Sequence, residues 1–221
     1  MYKRHIVIDL EFTPIPKRFQ EQREIVRHEV IQIGAVLLDQ DYRKISTFST
    51  YVKPAFAVHI KTSVTRLTGI TDQDVKNAPS FAQAMEKLTA WIGTEDRTRI
   101  YSWSDTDLHQ FRGECALKGI PFPNSMGRWL NFQKVYGRLI GSRHQLSLKK
   151  AVLSANVQFF GTLAHTALYD AIATAELLIM TVSGSVHGQK MCVGCTVIAA
   201  PQTFTTTIGE LYGAQLAKFL T

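Results

Sequence analysis

The spacing of apolar positions divides the chain into strand-like and helix-like blocks. Residues 5–11, His-Ile-Val-Ile-Asp-Leu-Glu, stay β-branched and apolar until carboxylates appear, the pattern of a buried strand running out to a polar surface. Pro14, Pro16 and a run of charges make 13–28 a loop. Residues 29–39, Glu-Val-Ile-Gln-Ile-Gly-Ala-Val-Leu-Leu-Asp, read as a second strand, antiparallel to a third at about 45–53. After Pro54 a short helix is predicted at 62–69. Ser80 and Gln83 form a capping box ahead of Phe81, Ala84, Met85, Leu88, Trp91 and Ile92 at helical spacing, which defines a helix over 80–93. A strand at 98–103, a helix at 107–118, a basic helical region at 128–153 broken near Gly141, and a helix at 166–181 follow.

Strands first, then alternating helix and strand, predict an α/β fold. The sheet is mixed, its first three strands antiparallel and a later one reached by a helical crossover, with helices on both faces. A length of 221 residues suits one domain with a tail. From Ser183 the chain turns rich in Thr and Gly and poor in charge, then closes with Ile208, Leu211, Tyr212, Leu216, Phe219 and Leu220 at helical periodicity. The expectation is a domain over 1–182 and an accessory segment over 183–221, packed on the domain or in a homodimer contact.

An apolar fraction of 45% with 19% charged residues excludes a largely disordered chain. No apolar run approaches the roughly 18 residues that cross a bilayer, and Asp9 interrupts the stretch a signal peptide needs, so a cytoplasmic protein without a membrane partner is expected. Three cysteines argue against a disulfide framework. Cys192 and Cys195, with His187 nearby, have the spacing of half a zinc site but lack a second pair, and small buried hydrophobes are the expectation.

Charge adds a partner class. The net charge is +7, and 115–169 contains no Asp or Glu while carrying Lys118, Arg128, Lys134, Arg138, Arg143, Lys149 and Lys150. One region thus holds the positive field, which suits a polyanion, although solvated helix faces carry such residues too.

Asp9 and Glu11 lie two apart at a strand end and therefore share a face. Paired carboxylates repel unless a cation neutralises them, and hard oxygen ligands suit Mg²⁺ or Mn²⁺ rather than zinc. Alone, the pair says little. Further acids appear where a strand meets a helix, in Trp103-Ser104-Asp105-Thr106-Asp107-Leu108, and at the start of the last helix, in His165-Thr166-Ala167-Leu168-Tyr169-Asp170-Ala171.

In this order these motifs resemble the DEDDh exonucleases, the histidine branch of the DEDD superfamily. Residues 29–36, Leu-Thr-Gly-Ile-Thr at 67–71 and Leu-Lys-Lys-Ala-Val at 148–152 are similar to further segments of that family, so the resemblance runs from 5 to about 181. The Ser-Asp-Thr-Asp-Leu form looks most like the branch holding the sporulation inhibitor KapD and the eukaryotic histone-mRNA and small-RNA trimming exonucleases. The resemblance implies a ribonuclease H-like sheet of five strands and a 3′-to-5′ exonuclease that releases nucleoside 5′-monophosphates.

It also implies roles. Asp9, Glu11 and Asp170 would hold one Mg²⁺ or Mn²⁺, Asp9 would bridge to a second through the scissile phosphate, and Asp107 would support that second ion. Two such ions stabilise the attacking and leaving oxygens and acidify a bound water. His165 would take that water's proton. Its five-residue offset from Asp170 amounts to about 140° on one helix, so His165 belongs in the preceding loop. Asp105 is the competing acid, with helix capping as its other role. Leu10, Phe12 and Leu67 would contact the terminal nucleotide, although Phe12 reads equally well as core. Thr166 stands where many relatives have Arg or Asn, and Ser104 where many have Gly.

The expected partner is single-stranded nucleic acid, RNA over DNA, a distinction resting on 2′-hydroxyl contacts. Two competing readings are a proofreading-type DNA exonuclease and a non-catalytic regulatory nucleic-acid-binding protein of KapD type.

Overall fold

A computed structural model describes residues 2–155, 157 and 165–183. The expectations for the accessory segment, its homodimer contact, His187, Cys192 and Cys195 fall on 184–221, outside the described residues. In chain order the elements are β1 (Arg4–Pro14), α1 (Gln20–Ile25), β2 (His28–Asp39), β3 (Lys44–Tyr51), α2 (Thr62–Thr68), α3 (Asp72–Lys76), α4 (Phe81–Ile92), β4 (Thr98–Ser102), α5 (Thr106–Leu117), β5 (Trp129–Asn131), α6 (Phe132–Leu139), α7 (Leu148–Ser154) and α8 (Ala167–Val182). Among the described residues no helix is long and apolar enough to cross a membrane.

The five strands form one sheet in the order β3-β2-β1-β4-β5. β1 runs antiparallel to β2, β2 antiparallel to β3, and β4 and β5 join parallel on the other side of β1. Central β1 uses both its faces. Ile6, Ile8 and Leu10 pack into one core with Phe81, Met85, Leu88 and Phe111 from α4 and α5, while Val7 packs into the other with Tyr136, Val152 and Leu177 from α6, α7 and α8. Those two layers cover the sheet as the α/β reading requires.

Two stretches differ from expectation. The loop over 13–28 is shorter than predicted, because β1 continues to Pro14 and α1 forms inside it. The region over 128–153 begins with a strand: β5 adds to the sheet through Ile100↔Trp129 and Ser102↔Asn131. Three residues are too few to show a period of two, and the parallel neighbour β4 supplies the ladder. Helix α4 matches its sequence signature, with the Ser80 hydroxyl accepting from the Gln83 N–H at 3.3 Å and Gln83 Oε1 accepting from Ser80 N–H at 2.9 Å.

Candidate functional site

The site lies on β1 just past the end of its pairing with β4, between the N-termini of α5 and α8. Asp9 and Glu11 project from the face that carries Val7, toward α8. Carboxylate oxygens of Asp9, Glu11 and Asp170 lie within 4.8 Å of one another. Asp107, 5% exposed in the first turn of α5, joins them from the side, its carboxylate accepting its own backbone N–H and that of Leu10. The two motifs, at Asp9 through Glu11 and at Asp107, lie 96 residues apart from Glu11 to Asp107 and thus meet through a backbone hydrogen bond.

Strand β2 sets the position of α8. The β2 residues opposite Asp9 and Glu11 in the ladder are Gly34 and Gln32. Gln32 Oε1 accepts the Ala167 N–H at 3.0 Å, satisfying one of the free donors at the start of α8. Gly34 is the point of close approach, where a Cβ would stand 2.1 Å from Leu168 N and 2.5 Å from Ala167 O. Thr166 caps the helix, its Oγ1 accepting from Tyr169 N–H at 3.4 Å, which gives the residue that departs from the family pattern a structural task. Gly34 and Gln32 were read from sequence only as part of a strand. Neither carries a reactive group, and their meaning depends on which residues they face across the ladder.

His165 precedes the cap in a left-handed conformation, φ 71°, with its Nδ1 4.0 Å from Asp170 Oδ2. It lies outside the helix, as its offset from Asp170 demanded. Its side chain is 45% exposed, so solvent reaches it.

Burial and crowding favour protonation of the acids. Asp9 is held well above the usual carboxylate range, by burial first and then by Asp107, Asp170 and Glu11. Glu11 is pushed up to about 8 by burial and by Asp170 and Asp107. Asp107 is pushed up to about 7, chiefly by burial, against the pull of its two backbone N–H donors. Asp170 is raised by burial and partly brought back by His165. Among the described residues none of the four pairs with a lysine or arginine. Oxygen donors in this state suit a hard divalent cation, which removes the repulsion.

Asp105 is set apart. It bonds Lys134 Nζ at 2.6 Å and makes no capping bond to α5; the Ser104 hydroxyl instead accepts the Thr106 N–H at 3.2 Å. The three expected nucleotide contacts separate. The Leu10 side chain is 3% exposed in the core on the face away from Asp9, because strand alternation sends it there, and only its backbone reaches the site. Phe12 is partly buried against the same core, while Leu67 on α2 is 56% exposed.

Several known proteins are similar to this chain. 3′-5′ exoribonuclease 1 of Rattus norvegicus is 31% identical over 160 residues, 69% of this chain and 46% of that protein. Probable 3′-5′ exonuclease KapD of Bacillus subtilis (strain 168) is 27% identical over 172 residues, 78% of this chain and 81% of that protein. The match spans about a third to a half of the length of the animal exoribonucleases. The crystal structure of the nuclease domain of 3′hExo, a DEDDh family member bound to rAMP, superposes with a TM-score of 0.72 at 25% identity, covering 82% of this chain and 92% of that one. The RNase T model, described as exonuclease, matches residues 6–178. With its five-stranded mixed sheet and this family match, the chain belongs to the RNase T exonuclease family, among the DEDDh nucleases.

Proposed function

We propose that the chain is a divalent-metal-dependent 3′-to-5′ exonuclease that releases nucleoside 5′-monophosphates from single-stranded ends, RNA in preference to DNA. The observation that carries this reading is the meeting of Asp9, Glu11 and Asp170 within 4.8 Å, beside buried Asp107 and the accessible His165. Asp9, Glu11 and Asp170 would hold a first Mg²⁺ or Mn²⁺, and Asp107 would support a second. When bound, the ions polarise the phosphate oxygens and bring a water near ionisation at neutral pH. His165, its Nδ1 4.0 Å from Asp170 Oδ2, takes the proton of the attacking water. His165 stands outside the helix, in a left-handed backbone conformation. The preference for RNA rests on the relatives named 3′-5′ exoribonuclease and on the rAMP complex of 3′hExo.

The direct test uses 5′-labelled RNA and DNA oligonucleotides with Mg²⁺, with and without EDTA, beside His165→Ala. A ladder shortening from the 3′ end, abolished by EDTA and by the substitution and faster on RNA, is the expected result. No EDTA-sensitive ladder on either strand would falsify the enzyme reading, and faster digestion of DNA would overturn the RNA preference.

A further inference from the structure

The sequence concentrates positive charge in 115–169, yet the fold engages much of it. Lys118 is partly buried between Glu114, at 2.7 Å, and Glu29, at 3.5 Å. Lys134 pairs with Asp105, and Arg128 donates to the Asp96 carbonyl. The loop over 13–28, where acids and bases are mixed, does the opposite. It delivers Arg23 and Arg27 to the end of β1, close to Lys61 at the start of α2. Their collective field, after burial, holds His28 below its ordinary range. Among the described residues Arg27 and Lys61 form no ion pair with a carboxylate, and both side chains lie on exposed residues.

Arg23 and Arg27 line a cavity of about 340 Å³ between α1 and the N-terminal half of α5, together with Thr106, His109 and one acid, Glu24. Helix α1 lies close against α5, since a Cβ at Gly113 would stand 3.0 Å from Val26 Cγ2. Arg23 is fixed by donating to the Ile15 carbonyl at 2.5 Å, and Gln110 Nε2 ties α5 to the His28 carbonyl at 2.8 Å. The cavity wall is therefore held, and Thr106 in it directly precedes Asp107. His28 pairs with Pro14, three residues beyond Glu11, which at the strand rise is about 10 Å from the carboxylates. The Phe12 ring, partly buried against the α4–α5 core, lies 6.3 Å from the His28 ring.

We propose that Arg27 and Lys61, with the cavity between α1 and α5, form a second contact site that grips phosphates of a single strand on the 5′ side of the nucleotide being removed. The site rests on the exonuclease reading for its orientation, since the 3′ end would occupy the carboxylates. It supplies attraction without base readout, because its donors are point charges and a guanidinium suited to phosphate oxygens.

The test compares wild type with Arg27→Ala/Lys61→Ala, and with Lys87→Ala/Arg97→Ala as an exposed, charge-matched control remote from the site. Binding of a 5′-fluorescein RNA of about 12 nucleotides is followed by anisotropy in EDTA across a salt series. Removing two phosphate contacts should weaken binding about tenfold and reduce the slope of log K against log salt by roughly 1.4, at about 0.7 per phosphate on a single strand. The control should lose much less. Hydrolysis of thymidine 5′-monophosphate p-nitrophenyl ester with Mn²⁺, which has no upstream phosphate, should keep its kcat and KM in Arg27→Ala/Lys61→Ala. An unchanged salt slope, an equal loss in the control pair, or a matching loss on the ester would overturn the site. Failure of wild type on the ester and on RNA alike would instead remove the exonuclease reading, while the binding series still reports whether these residues hold a strand.

Discussion

Gly34 stands opposite Asp9 in the β1–β2 ladder, and a Cβ on it would lie 2.1 Å from the Leu168 backbone nitrogen. The residue facing one carboxylate therefore fixes how near the helix bearing another can come. Gly34→Ala should push the start of α8 outward and carry Asp170 from Asp9 and Glu11. A misplacement on the order of 1 Å costs about 100-fold in rate, and overpacking of this kind costs about 1–3 kcal/mol. Steady-state kinetics beside urea unfolding would check both, and wild-type kcat/KM in Gly34→Ala would refute the relationship.

Metal-free stability should fall as pH rises. Glu11 and Asp107 keep protons in the folded chain up to about 8 and about 7, where their ordinary values are 4.5 and 3.8. Over that interval the folded state binds more protons than the unfolded one, so rising pH favours unfolding. Melting of the EDTA-treated protein is expected to drop from about pH 5 to about pH 8, and Mn²⁺ to raise Tm more at the upper end, where it displaces fewer protons. A metal effect independent of pH would contradict this.

The two acids of the second motif should behave differently. Asp107→Asn removes a buried carboxylate beside Asp9 and is expected to lower kcat at least about 100-fold. Asp105→Asn breaks a surface pair with Lys134, worth about 0–1 kcal/mol, and should leave the rate within about threefold. The reverse order in a side-by-side assay would exchange the assignments.

His165→Gly separates function from folding. Glycine adopts φ 71° without strain, so unfolding free energy should stay within about 1 kcal/mol of wild type. Loss of the base should lower kcat about 100- to 10,000-fold. Retained activity would exclude His165 from proton transfer, whatever the stability.

Glu29 should matter for the fold alone. It is fully buried and accepts the backbone N–H groups of Ala55, Phe56 and Ala57 at 2.6, 2.9 and 2.9 Å, with Lys118 nearby. Glu29→Gln weakens these charge-assisted bonds and leaves Lys118 with one carboxylate fewer, at an expected cost of about 2–4 kcal/mol. Chemical denaturation would show it, and a cost under about 0.5 kcal/mol would mean the buried charge is dispensable.

The order of motifs and the alternation of β1 made the four acids legible before any coordinates, because a strand end and two helix starts are local patterns. The offset of His165 from Asp170 was equally local. Gly34 and Gln32 were not legible, since their effect comes from the cross-strand register. Leu10 looked like a nucleotide contact, yet the period of two that aligns Asp9 with Glu11 turns its side chain into the core. Charge misled in a third way: Glu114, four residues before Lys118 on the same helix, was local, but the acid-free sequence from 115 gave no sign of Glu29 beside Lys118 or of Asp105 beside Lys134.

Strand β1 carries Ile6, Ile8 and Leu10 on one side and Val7, Asp9 and Glu11 on the other. A slip of one position would put carboxylates into the α4–α5 core and aliphatic side chains into the cleft. Correct folding and competence for chemistry therefore share one checkpoint. A misregistered chain forfeits its core and its reaction together, so turnover per molecule in a refolding mixture should follow the native fraction in direct proportion.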